Sequence, residues 1–80
     1  FNVFPNPNSG QFELEVLTED AGEVSILITD LLGRTVLTQT QNINSNQRIS
    51  IDMQSFTAGQ YILKAEMYGQ VYVKKVVLVK

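Results

Sequence analysis

The eighty residues contain no cysteine, no histidine and no tryptophan. Without cysteine there is no disulfide framework, no thiol nucleophile and no thiolate metal site. Without histidine the Ser–His and Cys–His nucleophiles are lost too, together with imidazole metal centres. Charge is sparse, with six basic and eight acidic residues and a net charge of −2. The charges are scattered, so there is no basic stripe to track nucleic acid. No apolar run approaches the length of a membrane-spanning helix, and no basic region followed by an apolar stretch opens the chain. No segment sustains helical periodicity, and no internal repeat occurs. These absences argue against an enzyme, a cofactor and a nucleic-acid partner.

What remains is a short chain of alternating apolar and polar residues. At this length a single domain is expected, with a core that has little slack. The chain opens at Phe1 without methionine and reads as a piece of a longer protein. Pro5-Asn6-Pro7 constrains the backbone twice, and Asn8, Ser9 and Gly10 favour turns, so an ordered leading segment ending in a turn is expected. Phe12, Leu14 and Val16 then alternate with Glu13 and Glu15, the pattern of a half-buried antiparallel strand. After a turn at Glu19-Asp20-Ala21-Gly22, Val24, Ile26 and Ile28 repeat the alternation, with Leu27 interrupting the polar side.

Asp30-Leu31-Leu32-Gly33-Arg34 is the clearest turn. The Asp30 carboxylate is placed to accept the backbone N–H two residues on, and Gly33 suits a left-handed position. Two leucines at its tip must either fold under the turn or meet a partner. The next strand is expected from about Arg34 to Thr40, with Val36 as its core residue. A polar loop or frayed edge follows over Gln41 to Asn46, anchored by Ile43. Ile49, Ile51 and Met53 alternate inward next.

Phe56, Gly59 and Tyr61 have the spacing of a corner that crosses between two sheets, with the tyrosine hydroxyl bonding back to the chain just before it. The strand from Gln60 to Met67 buries Tyr61, Leu63, Ala65 and Met67, and Tyr68-Gly69 turns it into a last strand ending in Val76-Val77-Leu78-Val79. Two facings of that strand are open: a bulge near Lys74-Lys75 that turns Val76 and Leu78 inward, or an unbroken strand with Val77 and Val79 inward. Several short strands punctuated by turns predict an all-β class, a small antiparallel β-sandwich of about six or seven strands with Greek-key crossovers.

Few side chains suggest a site. Glu19, Asp20 and Glu23 share one loop that offers oxygens to calcium, but without dedicated spacing it reads as a solvated acidic turn. Tyr61, Tyr68 and Tyr72 suggest a flat aromatic platform for sugars, yet Tyr61 reads more simply as core and the others as hairpin cross-pairs. Lys74, Lys75 and Lys80 read as an anionic contact or as protection of an edge strand. From these residues the reading ends at a non-catalytic interaction domain, such as an adhesion or carbohydrate-binding immunoglobulin-like module. Its exposed edges leave room for a weak homodimer.

Four motifs in order carry the reading further. Phe4 followed by Pro5-Asn6-Pro7 and Gly10 is the first, and Asp30 with Gly33-Arg34 before the apolar Val36 is the second. The third is Met53, Phe56, Gly59 and Tyr61, and the fourth is Lys75 before Val76, Val77, Leu78, Val79 and Lys80. Together they resemble the type A C-terminal sorting domain of the type IX secretion system of Bacteroidetes, the Por secretion system sorting domain. Phe4 stands where that family more often has tyrosine, and Met53 and Phe56 where leucine is commoner. The resemblance covers about Phe4 to Lys80. It implies an immunoglobulin-like sandwich that takes an upstream cargo from the periplasm through the outer membrane, to the cell surface or the medium. The implied partners are the outer-membrane translocon and a signal-cleaving protease cutting upstream of the first motif, with the cargo then commonly attached to lipopolysaccharide. In this reading the translocon recognises the C-terminal hairpin by adding a strand to its edge.

Overall fold

The computed structural model describes Phe1–Lys80 as seven strands: β1 Asn2–Phe4, β2 Gln11–Val16, β3 Gly22–Asp30, β4 Thr35–Ile43, β5 Gln47–Asp52, β6 Gly59–Met67 and β7 Gln70–Leu78. They form two antiparallel sheets, β1-β2-β5 and β4-β3-β6-β7. The chain changes sheet after β2, β4 and β5, so β2 pairs with β5 and β3 with β6 across intervening strands. The expected Greek-key sandwich is therefore the observed one.

The period-two pattern decides which face each strand buries, because successive side chains point to opposite sides of the sheet. Phe12, Leu14 and Val16 of β2 and Ile49 and Ile51 of β5 face Val24, Ile26, Ile28, Leu63 and Ala65 of the other sheet. Sixteen buried apolar residues form this one core. Leu27, on the outer face, is half-buried opposite Lys64, whose aliphatic stem is suited to cover it.

Two expectations require correction. β4 runs on to Ile43, and Ile43 is its buried residue, whereas Val36 is only half-buried. The register shifts between Ile28 and Thr29, where Ile28 pairs with Leu37 and Thr29 with Thr35. Val36 is thus the extra residue of a β-bulge, and its side chain leaves the regular alternation. In β7 there is no bulge, since pairing with β6 continues unbroken from Gly59↔Leu78 to Met67↔Gln70. Val76 and Leu78 still face the core. Val71, Val73 and Lys75 lie on the outer face, and Lys74, on the inner parity, is exposed on an edge strand. Val79 is half exposed beyond the strand end.

Both residues of the final hairpin turn have positive φ, +53° at Tyr68 and +76° at Gly69, the geometry that matches strand twist. The corner after β5 forms as the sequence predicts. The Tyr61 ring is buried against Phe56 at 6.4 Å between centroids, and its hydroxyl donates to the Thr57 carbonyl at 2.6 Å. Replacing Tyr61 by phenylalanine keeps the ring and removes this bond. We expect a loss of about 1 kcal/mol or slightly more, read as a lower denaturation midpoint; an unchanged midpoint would contradict the corner.

Candidate functional site

Antiparallel strands place alternate connections at the same end of a sandwich, and here that end collects every motif. The β1–β2 connection (Pro5–Gly10), the β3–β4 turn (Leu31–Arg34), the β5–β6 crossover (Met53–Ala58) and the terminal Val79–Lys80 share one pole. Pairings Asp30↔Tyr61, Tyr61↔Val76, Gln11↔Asp52 and Asn8↔Leu78 fix that arrangement. The opposite pole holds the other connections and Phe1, whose ring packs on Tyr72 at 5.6 Å.

At the motif pole the first and last motifs are hydrogen-bonded to each other. The Asn6 carboxamide uses both ends: Nδ2 donates to the Lys75 carbonyl at 2.8 Å, and Oδ1 accepts the Val77 N–H at 2.9 Å. Asn8 continues the ladder with its main chain. Its N–H donates to the Val77 carbonyl at 3.0 Å, and its carbonyl accepts the Val79 N–H at 2.7 Å. Asn6 therefore imitates one residue of a neighbouring strand and Asn8 supplies the next. Both the Phe4–Pro5 and Asn6–Pro7 peptide bonds are cis.

Asn8 is 5% exposed, the one buried polar side chain, and it is satisfied. Its Oδ1 accepts the Gly10 N–H at 2.8 Å, and the Gly10 carbonyl accepts the Met53 N–H at 2.6 Å. Gly10 has φ +126°, and a β-carbon there would lie 2.9 Å from Gln54 Cα. Only glycine lets the two connections come this close. Lys80 completes the closure, its ammonium donating to the Gln54 and Phe56 carbonyls.

The outer edge of β7 from the Lys75 carbonyl to the Val79 N–H is thus already occupied. Strand addition to the C-terminal hairpin would therefore have to use the remainder of that edge, Gln70–Lys74. Asn8 and its role were not legible as more than a turn residue, because its partners lie about seventy positions away in sequence.

The second motif is a self-contained turn. Asp30 Oδ1 accepts the Leu32 and Arg34 N–H groups, each at 2.9 Å, and Oδ2 accepts Arg34 Nε at 2.7 Å. Main-chain bonds Gly33 N–H to the Asp30 carbonyl and Asp30 N–H to the Arg34 carbonyl close it, with Gly33 at φ +87°. The Arg34 backbone N–H above all holds the Asp30 carboxyl below its ordinary value, aided by the Arg34 side chain and the Leu32 N–H and opposed by burial. Leu31 and Leu32 do not fold under the turn; they are 62% and 81% exposed.

The other candidates do not assemble. Tyr61 is buried at the motif pole, Tyr68 is exposed at the other, and Tyr72 lies against Phe1, so the three tyrosines make no platform. No group of three or more carboxylates, Glu19, Asp20 and Glu23 included, converges as a metal site. The Lys75 side chain is exposed, and the motif uses its carbonyl. Pro5 and Pro7 are exposed.

Two measurements check this geometry. Asn6→Ala removes both side-chain bonds to β7 and is expected to cost about 1–2 kcal/mol, with faster amide exchange at Val77. For Asp30, a lowered folded pKa means its contribution is present above the ordinary 3.8 and is lost as pH falls through the folded value. Asp30→Asn should therefore flatten the acid side of a stability-versus-pH curve below about pH 4; identical acid limbs would refute it.

A family model described as the secretion system C-terminal sorting domain matches residues 2–80. No curated protein matches the chain. That match runs from β1 through the hydrogen-bonded closure of the two termini to the last residue. The chain therefore belongs to the C-terminal sorting domains of the type IX secretion system, signals that send the protein bearing them out through the outer membrane, to the cell surface or the medium.

Proposed function

We propose that residues 1–80 act as one sorting unit at the end of a longer exported protein, and that the outer-membrane translocon reads the unit folded, at its motif pole. The observation that carries this reading is the bonding of Asn6 and Asn8 to Lys75, Val77 and Val79. Motifs at the two ends of the sequence occupy one surface only when the sandwich is complete. A chain unfolded or truncated at either end does not present them together. Cargo preceding Phe1 leaves from the opposite pole, so the signal and its load do not compete for the same surface.

In this reading the protein crosses the periplasm with the domain attached, and a pathway protease then removes it by cutting upstream of Pro5. The domain supplies no chemistry of its own. Pro5, Asn6, Pro7, Gly10, Asp30, Gly33, Arg34, Gly59, Tyr61 and Lys80 build the pole, while Val76 and Leu78 tie it to the core.

The test uses the full-length protein in a bacterium that carries the pathway, comparing surface with periplasmic protein. The intact chain is expected at the surface, shortened by the length of this domain. Deleting Val76 to Lys80 should leave it in the periplasm at full length, and Asn6→Ala should lower export in proportion to its loss of stability. Full surface export of the deletion would sink the sorting reading. Periplasmic retention of the intact, folded chain would favour an adhesion module instead.

A further inference from the structure

The residues at the motif pole divide into two kinds. Asn6, Asn8, Gly10, Asp30, Tyr61 and Lys80 are each engaged within the domain by the bonds described above. The side chains of Leu31 and Leu32 have no such engagement, and both residues are largely exposed. The turn itself requires Asp30 to accept the Leu32 and Arg34 N–H groups and Gly33 to take its positive φ. It makes no demand for an apolar side chain at positions 31 and 32. Polar residues would make the same turn and stay soluble, so the two leucines need another reason to be there.

We propose that Leu31 and Leu32 form a preset apolar prong that inserts into an apolar pocket on a protein component of the sorting machinery. This rests on the sorting reading above and names the contact that reading leaves open. Five hydrogen bonds, three through the Asp30 carboxylate and two through the main chain, hold the prong in shape before it meets a partner. Little conformational freedom is then left to lose on insertion, which is what preorganisation contributes to affinity.

Area and charge select a protein pocket over the two other occupants. Two leucine side chains offer far less than the roughly 800 Å² per partner of an ordinary stable interface. A second copy of this chain, meeting tip to tip, would bury too little to stay. A lipid surface is disfavoured by charge. Segments that lie on anionic membranes pair their apolar face with free basic residues. Here the cations of the connections and terminus are already committed, Arg34 to Asp30 and Lys80 to two carbonyls, and the free Lys74 and Lys75 sit on β7, two strands away from the β3 end that carries the prong. A small, concave apolar site on a partner protein encloses both leucines, which a flat tip-to-tip contact cannot, and asks for no basic residues beside them.

The test places Leu31→Ser/Leu32→Ser in the full-length exported protein, in a bacterium carrying the pathway. The surface fraction should fall about tenfold or more, the loss expected when a contact worth one decade of affinity is removed. The retained periplasmic form should keep the protease resistance of the folded domain. Leu31→Met/Leu32→Met keeps apolar surface and should retain far more export than the serine pair. Leu17→Ser, on the opposite pole at 60% exposure, should export normally.

Wild-type export of the double serine variant would overturn the proposal. So would equal failure of the methionine pair, or of Leu17→Ser, since neither apolarity nor this pole would then be what is read. If the serine pair instead abolished binding to phospholipid vesicles, or dissociated a dimer seen by sedimentation, the occupant would be lipid or a second copy and the pocket assignment would fall. Should the double variant be protease-sensitive, Leu32→Ser alone, at the more exposed position, decides by the same readouts. Failure of the sorting reading is seen separately, as full export of the chain lacking Val76 to Lys80.

Discussion

An edge strand leaves a row of N–H and C=O groups without partners, and in a small sandwich such an edge is where unzipping starts. Here the edge belongs to β7, which carries Val76 and Leu78 into the core. Asn6 and Asn8 close it from the Lys75 carbonyl to the Val79 N–H. The same closure holds Gly10 against Met53 and brings Lys80 to the crossover before β6. Packing of the last strand, position of the leading loop and shape of the pole all depend on those few bonds. Without them the main chain of β7 would be hydrogen-bonded to the domain through β6 alone.

That dependence makes the arrangement of the motifs a property of the fold. The motifs are short and individually unremarkable as chemistry: amides, glycines, one ion pair and a lysine. The Asp30 carboxylate, held below its ordinary pKa above all by the Arg34 backbone N–H, serves a turn. The value of the motifs lies in juxtaposition, because residues about seventy positions apart share one surface after folding. Family membership supplies the destination, export through the outer membrane. The geometry gives Asn6, Asn8, Gly10, Asp30, Tyr61 and Lys80 structural tasks within the domain.

Local features were the most legible. Alternation in Phe12 to Val16 and in Val24 to Ile28 gave the right faces, since a half-buried strand writes its burial at every second residue. The Asp30–Arg34 turn and the Tyr61 corner were readable because their partners lie within four residues. Legibility failed where neighbours in space decided the outcome. Val36 was displaced from its expected place by a bulge whose need arises in the pairing of β4 with β3. The last strand turned Val76 and Leu78 inward with no bulge, because its register on β6 is continuous and its outward valines face solvent. The leading loop takes the Lys75–Val79 part of the outer β7 edge, which no local pattern in the sequence marks.

The sequence by itself determined the class of structure, the buried faces of β2, β3, β5 and β6, the two local turn devices, the absence of histidine and cysteine side chains, and the family. Each of these rests on composition or on contacts within a few residues, where backbone geometry leaves few alternatives. Tertiary structure alone decided which surface the motifs form, that Asn6 and Asn8 close the final strand, and that Leu31 and Leu32 remain exposed. Those outcomes depend on which groups are left unpaired once two sheets have packed, and a sheet edge is completed by whatever part of the chain the fold brings to it.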